Sequence, residues 1–255
     1  MSTTRNILRA SDGALLDTFI REFDFYLDSL DHIFHLQGRI GLDAPALSGL
    51  SERDQNRFKS FLFLTESVNT TSMGVLRLFA GNLYSDAFAL LRMMYEAACL
   101  MHYGNQSPQH GDEVCNTMFK SGLDGQDHSK REWALIREAE AHWEAEKPDL
   151  VPLRKYINNF GAHISRAKIV LGNVSVVGNQ SASTIFLDNS RKKEYLMGLD
   201  MLHSLLMMIL KEYDEHAASY PGAMPSVVDK IAAHNKRFLA EVRPFLRARG
   251  GLTSN

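Results

Sequence analysis

The stretch that decides the fold is Ala87–Met101, AFALLRMMYEAACLM, in which thirteen of fifteen residues are apolar and only Arg92 and Glu96 carry charge. A helix that is apolar on nearly every face belongs at the centre of a bundle. Arg92 and Glu96 stand one turn apart on the same face, so this helix takes an ion pair into the core with it. Two charges removed from water are costly unless each finds further partners, so the pair needs a reason to be there. One reason is architectural: a buried pair locks the register of the helix against its neighbours. The other is an anion clamp, because a guanidinium offers a rigid fork of donors suited to carboxylate or phosphate.

Outward from that helix the periodicity stays helical. Leu15, Leu16, Phe19, Phe23, Tyr26, Leu27, Leu30, Ile33 and Phe34 predict a first helix over about 12–37, stopped by Gly38 and Gly41. A loop containing Pro45 follows. Ser51, with Asp54 three residues on, opens a second helix over about 52–80. The central helix is expected over 85–102, followed by a breaker segment from Gly104 to Gly111 and a short helix over 112–121. Ser129 and Glu132 form a capping box for a charged helix to Glu146, and Asp149–Ser165 reads as a helix with Pro152 in its first turn.

The pattern then changes. Lys168–Val177 is rich in Val and Ile, Gly178-Asn179 supplies turn chemistry, and Ser183–Leu187 is again β-prone, which predicts one β-hairpin at about 168–188. A Met-rich helix over about 191–218 and a last helix from Ser226 to Arg249 complete the chain. The reading is all-α: a multi-helix bundle with one small inserted β-hairpin, a single domain over 12–249, and loose ends at 1–11 and 250–255.

Composition narrows the function classes. The chain has 255 residues, 45% of them hydrophobic, and a formal net charge of -2, which suits a globular core and gives no bulk attraction to polyanions. The longest apolar run, Met201–Leu210, is interrupted by His203 and Ser204 and is too short to cross a bilayer, so no membrane partner is expected. Cys99 and Cys115 form no metal or redox spacing, and no secretory leader is read, so the expected compartment is the reducing cytoplasm. A glycine-rich phosphate loop and a Gly-x-Ser-x-Gly elbow are both missing, and no cofactor is expected.

Two further groups carry chemistry. Tyr156, Asn159 and His163 fall at i, i+3 and i+7, placing a phenol, an amide and an imidazole on one helix side. Asp28, His32 and His35 share a face of the first helix and form half of a metal site. Asp200-x-x-His203 is the nearest second half.

The pattern Leu91-Arg92-x-x-x-Glu96, followed by Tyr156-x-x-x-x-x-x-His163, resembles a group of bacterial helical proteins similar to the HEPN-like bundles, the higher-eukaryote and prokaryote nucleotide-binding type. The resemblance covers about a third of the chain and implies a bundle in which Arg92, Glu96, Tyr156 and His163 approach one another in a polar pocket. HEPN ribonucleases carry an Arg, a polar residue and then a His. The formal match here, Arg137 to His142, departs from that pattern in having Glu138 after the Arg and glutamates around it. The resemblance implies a binding or regulatory protein in a stress or defence setting, with an anionic ligand or RNA as partner and a homodimer as its assembly. The alternatives are an RNA-cleaving hydrolase, with His163 as general acid or base and Arg92 stabilising phosphate charge, and a metal-binding bundle.

Overall fold

The protein is described here by a computed structural model covering residues 13–81, 83–120, 128–158 and 192–249. Its helices are α1 (Gly13–Glu22), α2 (Asp24–Gln37), α3 (Ala44–Gly49), α4 (Glu52–Ala80), α5 (Tyr84–Gln106), α6 (Pro108–Cys115), α7 (His128–Glu146), α8 (Leu150–Ile157), α9 (Lys192–Ala218), α10 (Val228–Arg237) and α11 (Arg243–Arg249). Short π-helical turns follow α6 (Asn116–Lys120) and α10 (Phe238–Val242). Among the described residues there is no strand, only an isolated bridge between Leu42 and Ala223. The expected β-hairpin at 168–188 lies outside the described residues, as do the loose ends at 1–11 and 250–255. No described helix is long and apolar enough to cross a membrane.

The apolar stretch does form the middle of the bundle. α5 packs along α4 on one side and α9 on another, while α7 and α8 close a third. Phe88, Leu91, Met94, Tyr95, Ala98 and Cys99 are all fully buried along it. The close approach of α4 and α5 is set by Gly104, where a Cβ would stand 2.7 Å from the Phe61 ring. Gly104 therefore continues α5 instead of breaking it, because the helix gains tertiary contact that outweighs the propensity cost of glycine. On α9, Gly198 admits the Phe79 ring of α4, where any Cβ would overlap it.

Other local differences from expectation have physical causes. The first long helix breaks at Phe23 (φ -113°, ψ 21°), whose buried ring joins Phe19 and Tyr195 at centroid distances of 5.1 and 5.3 Å. The loop around Pro45 winds into α3 because Asp43 caps it, its carboxylate accepting from Ala46 N at 2.7 Å. Ser51 opens α4 as predicted, with its hydroxyl accepting from Asp54 N at 3.2 Å. Ser226 stands at the start of α10, its hydroxyl accepting from Val228 N at 3.2 Å while donating to Asp214 at 2.6 Å, and Asp214 in turn accepts from Val227 N at 3.0 Å.

Candidate functional site

Two polar clusters lie between α5 and α7. In the first, Arg92 Nε donates to Glu96 Oε1 at 2.7 Å and its Nη2 donates to Glu140 of α7. From α8, Arg154 Nε stands 2.5 Å from Glu144 Oε1 as an ion pair, with Nη1 3.8 Å from Glu140 Oε2. The Tyr95 hydroxyl donates to Glu144 at 3.2 Å, and the Arg92 guanidinium lies 5.5 Å from the centre of the Tyr95 ring. Burial pushes the Glu140 carboxyl up, against the pull of Arg92. Arg92 Nη1 is buried with no hydrogen-bond partner among the described residues. This cluster pins three helices together with reciprocal charges.

By sequence alone, the glutamates of so charged a helix as α7 read as a solvated acidic face. Glu140 is instead buried, because it falls one turn after Ile136 and one residue after Ala139, inside the stripe that carries Trp143. Glu138 does remain exposed, yet it accepts from the Tyr103 hydroxyl at 3.2 Å.

The second cluster is built on histidine. His102, at the end of the apolar stretch, has Nδ1 2.9 Å from Glu212 Oε1 of α9 and Nε2 2.9 Å from Glu146 Oε2 of α7. Burial opposes charge on this imidazole, but the two carboxylates outweigh it and hold His102 above the ordinary histidine value. Burial likewise opposes ionisation of Glu212, and the hydrogen bonds from His102 and Asn105 overcome it and lower its carboxyl. Asn105 Nδ2 donates to Glu212 Oε2 at 2.9 Å, and Asn105 Oδ1 faces His216 Nδ1 at 3.1 Å. His216 Nε2 in turn stands 3.2 Å from the Tyr220 hydroxyl.

An ionised carboxylate only accepts, and that fixes the roles along the chain as far as His216 Nδ1; the neutral state of His216 fixes the last. His102 Nδ1–H and Asn105 N–H donate to Glu212, His216 Nδ1–H donates to Asn105, and the Tyr220 hydroxyl donates to His216. His216 is neutral because it is buried, and its unprotonated Nε2 then accepts from the Tyr220 hydroxyl. Burial, with its ring stacked 3.6 Å from Phe61, drives its value down to about 3.

This chain of hydrogen bonds runs from the core to the floor of a cleft of about 610 Å³. Leu50, Asp54, Arg57, Asn105, His216 and Tyr220 are among the residues lining it, at the junction of α3–α4, α5–α6 and the end of α9. Arg57 donates to Asp54 through Nη2 and to the Pro108 carbonyl through Nη1 at 3.4 Å. Its Nε is buried with no hydrogen-bond partner among the described residues, Asp112 Oδ1 standing 3.5 Å away.

The residues singled out in the sequence are placed as follows. Arg92 and Glu96 meet, and Tyr156 lies nearby with its ring edge-on to Phe88 at 5.7 Å. Asn159 and His163 lie outside the described residues. Asp28, His32 and His35 do not converge: His35 pairs with Arg39 at 3.1 Å, while His32 stacks on His234 at 4.9 Å. Burial, with neighbouring cations, lowers His32. His203 is buried against Phe238 and His234 rather than offered to Asp200, whose carboxylate takes Arg243 at 2.8 Å. Of the second cluster, His142 and Glu146 were visible only as parts of the Arg137–His142 region. Glu212 and His216 lie in the charged end of α9, Lys211–His216, where nothing local sets them apart from the solvated Lys211 and Glu215.

Comparison with protein-family models, with curated proteins and with solved structures finds no match to this chain.

Proposed function

We propose that this protein is a ligand-binding helical module whose cleft receives a small polar molecule bearing a carboxylate or carbonyl group. The observation that carries this reading is the Arg57 guanidinium on the cleft lining, whose buried Nε makes no hydrogen bond among the described residues and has only the Asp112 carboxylate near it, as an ion pair at 3.5 Å. Buried donors are nearly always satisfied, so one left open in a cleft suits an acceptor brought by a ligand. Asp54 and Glu215 on the lining favour a small ligand that also carries donors, and they disfavour RNA, whose phosphates they repel. The proposal retains the HEPN-like kinship as one of architecture. Buried, unpaired Cys99 and Cys115 support a reducing compartment.

Gly49→Trp tests the reading, because Gly49 lines the cleft and a Cβ there meets no atom within 4 Å, so a large side chain can be added at the lining without a clash at its base. Thermal-shift screening with amino acids and small carboxylic acids should give stabilising compounds for the wild-type protein and none for Gly49→Trp. Equal shifts in both proteins would place the ligand elsewhere.

A further inference from the structure

On the side of the His102 ring away from the cleft, three atoms of metal-ligand type converge. His102, His142 and Glu146 each offer one, and all lie within 4.8 Å of one another. His142 and Glu146 stand one turn apart on α7, so a single helix face supplies two of them, and α5 supplies the third. We propose that this trio binds a divalent first-row transition ion through His102 Nε2, His142 Nδ1 and a Glu146 carboxylate oxygen, with Glu212 orienting His102 from behind.

Four observations support the site. Two imidazoles and one carboxylate suit zinc or iron and leave a fourth position open. Ligands on a tetrahedral ion with bonds of ~2.1 Å stand roughly 3.4 Å apart. The observed separations bracket that value, with His102 Nε2 2.9 Å and His142 Nδ1 3.6 Å from the two Glu146 oxygens. Glu212, only 2% exposed, accepts from His102 Nδ1 and so presents Nε2 to the site, as carboxylates behind metal-bound histidines do. Finally, His142 Nδ1 is buried with no hydrogen-bond partner among the described residues. A metal-free account, with His102 as an imidazolium clamped between Glu212 and Glu146, sets the Gln106 amide nitrogen 3.0 Å from a protonated Nε2, donor against donor, and leaves His142 Nδ1 with only Glu146 Oε1 at 3.6 Å, beyond hydrogen-bond reach.

The charge around the site is mixed. Glu146 and Glu212 contribute two carboxylates, and the Lys147 ammonium, 5.4 Å from the centre of the Trp143 ring, opposes a cation from the flank. Access runs along Glu146, whose side chain is 43% exposed, while His142 Nδ1 itself is enclosed. The site does not depend on the cleft reading.

The test uses the full-length, untagged chain stripped with chelator and titrated with zinc chloride by calorimetry near neutral pH. One ion per chain is expected. His142→Ala and Glu146→Gln should each abolish binding while leaving the circular-dichroism melt close to wild type, since both side chains reach the surface. Glu212→Gln keeps all three ligands and should weaken zinc about 10- to 100-fold. Gly49→Trp should bind zinc as the wild type does, which separates this site from the cleft. Absence of zinc binding by the wild-type chain, or undiminished binding by His142→Ala and Glu146→Gln, overturns the proposal. Should His142→Ala melt early, His142→Phe preserves the packing against Tyr103 and gives the same answer.

Discussion

The clusters at Arg92 and at His102 sit on the same two helices, ten residues apart along α5, which at 1.5 Å per residue is about 15 Å. They solve the same problem in different currencies. Around Arg92, two guanidiniums meet three carboxylates, and guanidinium keeps its charge at any pH a protein encounters. Around His102 the positive partner is an imidazole, whose charge can be withdrawn or replaced by an ion. The difference teaches that burial of charge does not by itself mark a functional site. A cluster of permanent charges is fitted to hold helices, and a cluster of titratable ones is fitted to respond.

The largest expected effect comes from breaking the permanent cluster. Arg92→Met removes the cation that compensates Glu96 and Glu140 and leaves the buried Glu140 with only the more distant Arg154. Stripping one partner from a buried pair costs about 3–5 kcal/mol, so urea unfolding should show a loss of that order. A loss below about 1 kcal/mol would mean that the charges reach solvent and that the cluster is no architectural pin. Replacing Arg92 and Glu140 together, by Met and Gln, should recover part of the loss.

The next effect concerns pH and belongs to the buried neutral histidines. Burial, the leading cause for each, drives His203 down to about 2, His216 to about 3 and His234 to about 4. In the unfolded chain each takes a proton near pH 6.5, so acidification favours unfolding by about 1.4 kcal/mol per pH unit per histidine. Stability is therefore fully present above about 6.5 and falls from there, through about 4 for His234 and on to the lower values of the other two. His102 acts in the opposite sense: its raised value adds stability at low pH that is lost as pH climbs through its folded value. The net expectation is a lower melting temperature at pH 5 than at pH 7.5. His216→Phe, which keeps a ring against Phe61, should flatten that slope. An unchanged slope would show that His216 is protonated in the folded state and would remove the neutral link from the relay.

How much of this was legible in the sequence follows from the same contrast. The stretch Ala87–Met101 identified the central helix and its ion pair, because a 3.6-residue period and a lone i, i+4 pair are local signals. The partners Glu140, Glu144 and Arg154 were not legible. They come from other helices, and glutamates on a charged helix look solvated until packing shows which face turns inward. Gly104 looked like a breaker because its reason, the Phe61 ring, lies 43 residues away on α4. The His102 cluster depends on three helices at once, and no spacing in one segment foretells it. His32 and His35 had the better local pattern and the poorer surroundings: the two facing α7 and α9 supplied His102 with carboxylates, whereas His35 turned to Arg39.

The smallest expected effect gives the cleanest contrast with Arg92. Glu146→Gln removes a carboxylate from His102, yet its side chain is 43% exposed and the amide still offers an oxygen acceptor. Partly solvated pairs contribute about 0–1 kcal/mol, so the melt should move little, and far less than for Arg92→Met. Glu212 remains to hold His102 at Nδ1, so the imidazole keeps its place while losing its outer partner. If Glu146→Gln instead unfolds the protein as readily as Arg92→Met, then the histidine cluster is as architectural as the arginine one. The distinction between holding and responding would then fall with it, because both clusters would be holding the same pair of helices.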